Sequence, residues 1–451
     1  MARRSLSDNG LMGFRVRIDP NGLWRHPDFL RLWIGQTVSG LGSQVTLLAL
    51  PLTAILVLEA TPGQVGLLTT LGFAPSLIFG LLAGVWTDRV RRRPILVTSD
   101  VLRGALVASV PIATWLGVLR IEQLYVVEFI AGTLLVFSSV ASSAYLPGLV
   151  GREHVTDANA KLFTSASAAR VAGPGLAGVL VQLLTAPIAL LLDEFSFAVS
   201  AACLLLIRRP ELVPRQGARR SVWGEVHEGL YLVLRGRLLR PLAVSFCTYS
   251  FFAAIFTTVQ TLFMVRDLRL EPAVIGIIVA SNGVGAVLGG LASRPLARRF
   301  GVGPAIVGGS AALAITHFAL PLSTGPWSII VPLLIAATVL SGFGQLVCAV
   351  NHQSLTQHLA PDYALGRVVA SRQFMILAAV PFGALLGGAL GEAIGLRATL
   401  WIGAVGTCTG MFILLASPIR TLRELPALAP DGPPDEPPQS PGTERRWALS
   451  L

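Results

Sequence analysis

The chain contains one lysine, Lys161, among its 451 residues. Its setting, Ala-Asn-Ala-Lys, carries no glycine-rich phosphate loop, which excludes a P-loop nucleotide hydrolase within this sequence. Charge of either sign is scarce: 13% of residues are charged against 53% hydrophobic. A soluble chain of this length cannot hide so much apolar surface in cores, so lipid must be part of its solvent. Cysteine is rare as well. Cys203, Cys247, Cys348 and Cys408 fall singly in apolar runs and read as small buried hydrophobes, predicting neither a disulfide framework nor a metal cluster. His-Glu-x-x-His and Gly-x-Ser-x-Gly are both missing, and His317 and His352 stand isolated. With no nucleophile paired to a base and no ligand set, the chain is not expected to be an enzyme, and no cofactor or metal is expected.

What is present is a recurrence of apolar runs of about 20 residues, each long enough to cross roughly 30 Å of hydrocarbon. They fall near 30–57, 64–86, 95–118, 123–147, 161–184, 186–207, 241–264, 272–293, 303–323, 327–353, 370–393 and 397–418. An even number of spans puts both termini on one side. The formal charge of +11 raises the question of a nucleic-acid partner, and the distribution answers it. With both termini cytoplasmic, only Arg120, Arg266, Arg269 and Arg397 fall in outer loops, and nearly all other basic residues fall inside. That is the positive-inside asymmetry, so the charge reports topology in a cytoplasmic membrane and no nucleic-acid partner is expected. The arginine-rich N-terminus lacks a short apolar region with a cleavage site, so no removable signal peptide is predicted.

The longest polar interruption divides the spans six and six. The expected organisation is a cytoplasmic N-terminal segment (1–27), an N-terminal six-helix bundle (28–207), a cytoplasmic linker with an amphipathic helix (208–240), a C-terminal six-helix bundle (241–418) and a disordered cytoplasmic tail (419–451). In the linker, Val222, Trp223, Val226, Leu230 and Val233 share a helical spacing. It suits a helix lying on the inner leaflet or one packed against the cytoplasmic ends of the spans. An internal repeat supports the division: Gly84 to Arg93 aligns with Gly290 to Arg299 at a shift of 206, and Pro174 with Pro381 at 207. A duplicated six-span unit is the architecture in which two bundles rock about a midplane site.

The segment Gly84-Val-Trp-Thr-Asp88-Arg89-Val-Arg-Arg92-Arg93 resembles the signature of the major facilitator superfamily, a glycine, three residues, Asp-Arg and a basic pair between spans two and three. Glycine lets two helices approach closely, Asp88 can face a helix N-terminus, and Arg89, Arg92 and Arg93 can pair across the bundle interface in one conformation only. The resemblance therefore implies a gating latch; the alternative is a topogenic arginine cluster. Arg91 stands where many members have glycine, and the second copy has Arg294 in place of the aspartate. In span five, Gly173-Pro174-Gly175-Leu-Ala-Gly178 resembles the Gly-Pro-rich motif of exporters in this superfamily, and proline with glycine makes a kinkable, closely packed helix. Leu32-Trp33-Ile-Gly35-Gln36, Asp157-Ala-Asn159-Ala and Gly366-Arg367-Val368 resemble the branch of drug, macrolide and siderophore exporters. The resemblance implies an all-α membrane protein with twelve transmembrane helices in two pseudo-symmetric six-helix bundles. It also implies export of small amphipathic molecules, with a proton-coupled importer as the rival reading and a monomer expected.

Ionisable residues within apolar runs are expected to face a cavity or a partner, because a charge in lipid is costly. Asp193 and Glu194 in span six and Glu128 in span four qualify as proton-coupling candidates, since burial favours the proton-bound form of a carboxyl group. A structural ion pair or snorkelling to the surface is the alternative. Arg103 follows Asp100 by three residues, which predicts a local pair. For the substrate cavity, Gln36, Ser39, Ser43 and Thr46 share one face of span one. Ser341, Gln345, Cys348 and His352 make a comparable stripe on span ten, and Phe246, Tyr249, Phe251 and Phe252 on span seven offer stacking surface. Either polar stripe serves equally as interhelical hydrogen-bonding glue.

Overall fold

The computed structural model describes residues 23–87, 89–209, 211, 222–360 and 364–424. Among them lie thirteen α-helices: α1 (Pro27–Leu56), α2 (Pro62–Thr87), α3 (Arg92–Trp115), α4 (Ile121–Val150), α5 (Val155–Leu184), α6 (Ala186–Leu205), α7 (Val222–Arg235), α8 (Leu239–Arg266), α9 (Pro272–Phe300), α10 (Val302–Thr316), α11 (Trp327–Leu359), α12 (Leu365–Ile394) and α13 (Leu396–Ala416). Eleven are long and apolar enough to cross a membrane, and α10 is an apolar helix of 15 residues. The chain is an all-α membrane protein: α1–α6 form one six-helix bundle, α8–α13 the other, and α7 lies between them in sequence.

Local chemistry explains where helices start and stop. Thr61 and Gln64 form a reciprocal capping box at the head of α2, with Thr61 N–H donating to Gln64 Oε1 at 2.8 Å and Gln64 N–H to Thr61 Oγ1 at 3.3 Å. Pro62 then sits at the first helical position, where its missing N–H costs nothing. The span expected over 303–323 ends early as an α-helix, at Thr316, and continues as turns whose N–H groups reach three or four residues back, such as Phe318 to Ile315. Pro321 has no N–H to give the carbonyl of His317, so the α-helical ladder cannot run through.

Within the first bundle α1 packs on α5 and α6, α3 on α4 and α6, and α2 on α4; in the second α8 packs on α12 and α13, α10 on α11 and α13, and α9 on α11. The two bundles meet chiefly along α5 with α9 and α2 with α12. They correspond at an offset of 210: α2 begins at Pro62 and α9 at Pro272, α3 at Arg92 and α10 at Val302, α5 at Val155 and α12 at Leu365, α6 at Ala186 and α13 at Leu396. Backbone irregularities repeat at the same spacing, with Glu59 and Arg269 both at φ 51° and Thr185 and Gly395 both at φ 86°. The offsets of 206 and 207 suggested by Gly84 and Pro174 are thus displaced by three or four residues, one helical turn, from the structural register.

The face at which α1 begins and α13 ends is the terminal face. At the opposite, far face the bundles are joined by one apolar cluster that includes Leu52, Leu68 and Val127 from the first half and Phe256, Phe263 and Ile275 from the second. Nearer the terminal face the clusters separate. One holds Phe29, Ile95 and Leu149 and nothing from the second half, and two others hold residues such as Leu242, Ile306 and Val368 and, apart from Val233 of α7, come from the second half alone. Of the two placements open to the linker helix, α7 adopts the packed one: a Cβ on Gly229 would come within 2.5 Å of the Arg367 carbonyl of α12, and Val233 is buried beside Ala243 and Val368. Residues 419–424, expected to belong to a disordered tail, instead pack against the head of α10. Ile419 is buried in the α10–α13 cleft, and the Leu422 carbonyl accepts from Gly303 N–H at 2.8 Å.

Candidate functional site: a central cavity, a buried acid cluster and a sealed far face

Between the bundles lies a cavity of about 530 Å³, bounded by Gln44, Leu47 and Pro174 on the first half and by Tyr249, Ser341 and Gln345 on the second. It adjoins a second cavity of about 620 Å³, within the second half, through the shared Tyr249 and Gln345. The aromatic wall is held by edge contacts: Tyr249 and Phe256 meet the His317 ring at centroid distances of 6.1 and 4.6 Å. His317 is itself anchored, its Nδ1 lying 2.6 Å from the Leu313 carbonyl. Scattered amides and hydroxyls on an otherwise apolar wall suit a ligand with a large hydrophobic body.

Of the residues expected at a substrate cavity, Tyr249, Ser341 and Gln345 line this one. Gln36, Ser39 and Ser43 do not line this cavity. Gln36 Nε2 donates to Ser142 Oγ of α4 at 2.5 Å, while Ser43 and Thr46 turn into the first bundle. The face of α1 that meets the cavity is the neighbouring one, with Gln44, Leu47 and Leu48. Helical periodicity groups residues onto a face without saying which neighbour that face meets. On α11 the stripe splits: Cys348 packs toward Ser310 of α10, and His352 belongs to the second cavity. Phe252 lies against Gly406 of α13 and serves packing.

The buried acids gather on one guanidinium. Asp193 is 1% exposed; its carboxylate accepts from Thr46 Oγ1 at 2.6 Å and Ser196 Oγ at 3.0 Å and rests against Gly42 of α1. Arg103 of α3 faces it from the other side, within electrostatic reach of Asp193, Asp100 and Glu128. The guanidinium does not form the expected close pair with Asp100. It reaches Ser43 Oγ at 3.5 Å and lies 4.4 Å from the Phe197 ring centroid. Glu128, from α4, lies against Gly72 of α2. Glu194, one residue from Asp193, points to a different face of α6 and is not part of this group. Asp100 and Arg103 are members that a reading confined to their own helix assigned only to each other.

The residues resembling a latch sit at the terminal face. Among the described residues, nothing from another helix comes within 4 Å of where a Cβ on Gly84 would lie. Asp88 lies outside the described residues. Arg89 is exposed and borders a groove with Trp86 and Phe137. The N–H groups of Arg92 and Arg93 donate to Glu211 at 2.6 and 3.1 Å, capping α3, and the Arg93 guanidinium caps α6 through the carbonyls of Leu204 and Leu205 at 2.9 and 2.7 Å. Arg93 thus engages within its own half.

The far face is closed twice over. A Cβ on Gly66 of α2 would lie 2.7 Å from the Ala384 carbonyl and 2.9 Å from Gly388 Cα on α12. Its counterpart at an offset of 210, Gly276 of α9, lies as close to Gly178 of α5, where a Cβ would come within 2.7 Å of Gly178 Cα. Polar contacts rim these seams. Gly63 N–H and the Thr61 hydroxyl donate to Glu392, while Gln182 accepts from Ala273 N–H at 3.2 Å and donates to Glu271 at 2.9 Å. Gly173 packs on Gln44, Pro174 faces the cavity and Gly178 forms the seam, so the Gly-Pro-rich segment joins cavity and closure in one helix.

Two six-helix bundles related by an internal repeat, around a cavity closed at one face, define a secondary-transporter fold of the major facilitator type. The sequence agrees: a model of the transmembrane secretion effector family matches residues 21–439, and the chain belongs to that family. The multidrug efflux pump Tap of Mycolicibacterium fortuitum is 26% identical over 388 residues, covering 83% of this chain and 91% of that protein. Among solved structures, the nucleoside transporter NupG superimposes with a TM-score of 0.68 at 13% identity, covering 86% of this chain and 98% of its own. A bacterial homologue of the iron transporter ferroportin, in an inward-facing state, gives 0.67 at 17% identity, covering 87% and 98%. The chain is a multi-pass membrane transporter.

Proposed function

We propose that this transporter exports small amphipathic molecules, of the antibiotic, drug or siderophore class, in exchange for protons by alternating access, acting as a monomer in the cytoplasmic membrane with both termini inside. The observation that carries the reading is the separation of two sites: an apolar cavity between the halves, and a cluster of three carboxylates around one guanidinium inside the first half, in which Asp100 and Asp193 are buried and Glu128 half-buried. Burial of net charge is costly, so such a cluster approaches neutrality only when protons are bound, which is the property a proton-coupling site requires. With both termini inside, the arrangement is inward-facing: the far face is the outer gate and is shut. An open terminal face also suits the disengaged surroundings of Gly84, the latch being expected to close when the cavity opens outward. The similarity to Tap favours export over import, and the mainly apolar cavity favours lipid-soluble cargo over sugars or peptides. The test is uptake into inverted membrane vesicles under an imposed pH gradient, with amphipathic antibiotics as cargo. Gradient-dependent uptake is expected; accumulation confined to right-side-out vesicles reverses the direction and makes the protein an importer.

A further inference from the structure

The second cavity contains a charge that the transport scheme above leaves unused. Arg372 of α12 borders it, with one guanidinium nitrogen hydrogen-bonded to His352 Nδ1 and another donating to Gln353 Oε1 at 2.7 Å, both on α11. Its Nε is buried and unpartnered. No carboxylate pairs with it among the described residues: Asp100, Glu128 and Asp193 belong to the opposite half around Arg103, and Glu392 lies on the same helix about 30 Å away by helical rise. Both of its partners are neutral acceptors, since an imidazole that accepts at Nδ1 from a guanidinium carries its hydrogen on Nε2. A half-buried guanidinium held by neutral groups at the edge of a cavity retains its capacity to bind an anion. Beside it the Phe246 ring lies tilted against His352 at 4.3 Å between centroids, and Tyr249 continues the aromatic surface toward the central cavity.

We propose that Arg372, presented by His352 and Gln353, binds the anionic group of an amphipathic cargo whose aromatic body lies along Phe246 and Tyr249. The proposal rests on the substrate-cavity reading above and narrows the cargo to organic anions, such as aromatic carboxylates, over their neutral analogues. It also divides the labour between the halves, protons in the first and the cargo's negative charge in the second. Arg372 escaped the sequence reading because it lies near the cytoplasmic end of an apolar run, where an arginine passes for a topology signal.

The test uses a matched pair of probes, anthracene-9-carboxylate and anthracene-9-carboxamide, titrated by fluorescence against the full chain in lipid nanodiscs. The wild type is expected to bind the carboxylate about tenfold or more tighter, the scale of a charge-assisted pair in a partly buried site. Arg372→Gln should bring the ratio close to one and Arg372→Lys should keep part of it. Gln353→Glu, nearly isosteric, supplies an internal carboxylate and should cancel the preference without emptying the cavity, which keeps the test decisive should Arg372→Gln fail to fold. A wild type that does not distinguish the probes, or a preference that survives Arg372→Gln or Gln353→Glu, overturns the assignment. Vesicle uptake separates this from the export reading. If an Arg372-dependent preference in binding persists while neither probe moves under a pH gradient, the anion site stands and export fails. Equal gradient-driven uptake and equal binding of both probes give the reverse.

Discussion

Glu392 and Gln182 occupy equivalent positions in the two halves, at an offset of 210, and each reaches across the interface to the first turn of a helix in the other half. Glu392 accepts from Gly63 N–H at 3.1 Å at the head of α2, and Gln182 accepts from Ala273 N–H at 3.2 Å at the head of α9. One contact is a carboxylate facing a helix N-terminus, a favourable placement of negative charge, and the other is a neutral amide. The closure is symmetric in geometry and asymmetric in charge.

Glu392→Ala removes the acceptor of Thr61 and Gly63 and should loosen the α2–α12 seam. The side chain is exposed, so the effect is modest, a shift of about threefold in the balance between far-closed and far-open states. Spin-label distances between the far ends of α2 and α12 would read it, and an unchanged distribution would remove Glu392 from the gate.

A larger effect is expected at the glycine seam. A Cβ at residue 178 would meet the Pro272 carbonyl at 2.5 Å and Gly276 Cα at 2.8 Å, both backbone atoms that cannot rotate aside. Gly178→Leu should therefore disfavour the far-closed state by about 1–3 kcal/mol, moving the population toward the far-open state with the protein still folded. Transport should fall, and labels on α5 and α9 should report a longer distance.

Asp193→Asn is nearly isosteric and keeps one acceptor oxygen, enough for either Thr46 or Ser196, but cannot exchange a proton. Gradient-driven uptake is expected to drop to under about a tenth of wild type, with cargo binding still measurable. Intact pH-dependent exchange would pass the coupling role to Glu128 or Asp100.

Thr185, between α5 and α6, holds φ 86° and ψ 155°, a region that suits glycine, and its counterpart Gly395 has φ 86° and ψ 161°. Thr185→Gly should stabilise the protein by about 1 kcal/mol or more, seen as a higher melting temperature in detergent. A lower one would mean that the Thr185 side chain contributes more than its backbone strain costs.

Apolar run length made the membrane helices legible, because hydrocarbon thickness leaves few alternatives. The repeat was legible in kind but not in register: low-complexity Gly and Arg matches tolerate a slip of one turn, whereas the helix starts at Pro62 and Pro272 do not. Site residues were harder to read. Ser43 and Thr46 share a helix face, but that face belongs to the acid cluster, and only the packing of α1 against α6 decides this. Arg103 lies one turn from Asp100 in sequence, yet its surroundings come from α1, α4 and α6. Contacts of this kind are made between elements and leave little trace along any single one.

The two faces of α1 separate what evolution can change. Ser43 and Thr46 address the acids, while Gln44, Leu47 and Leu48 address the cavity. Substitutions on the second face reshape the cavity without touching the residues around Asp193 and Arg103, which the proposed function makes the proton-coupling site. Under the proposed proton-coupled export, a lineage built on this helix would meet a new cargo by altering a few cavity residues while keeping the acid cluster intact.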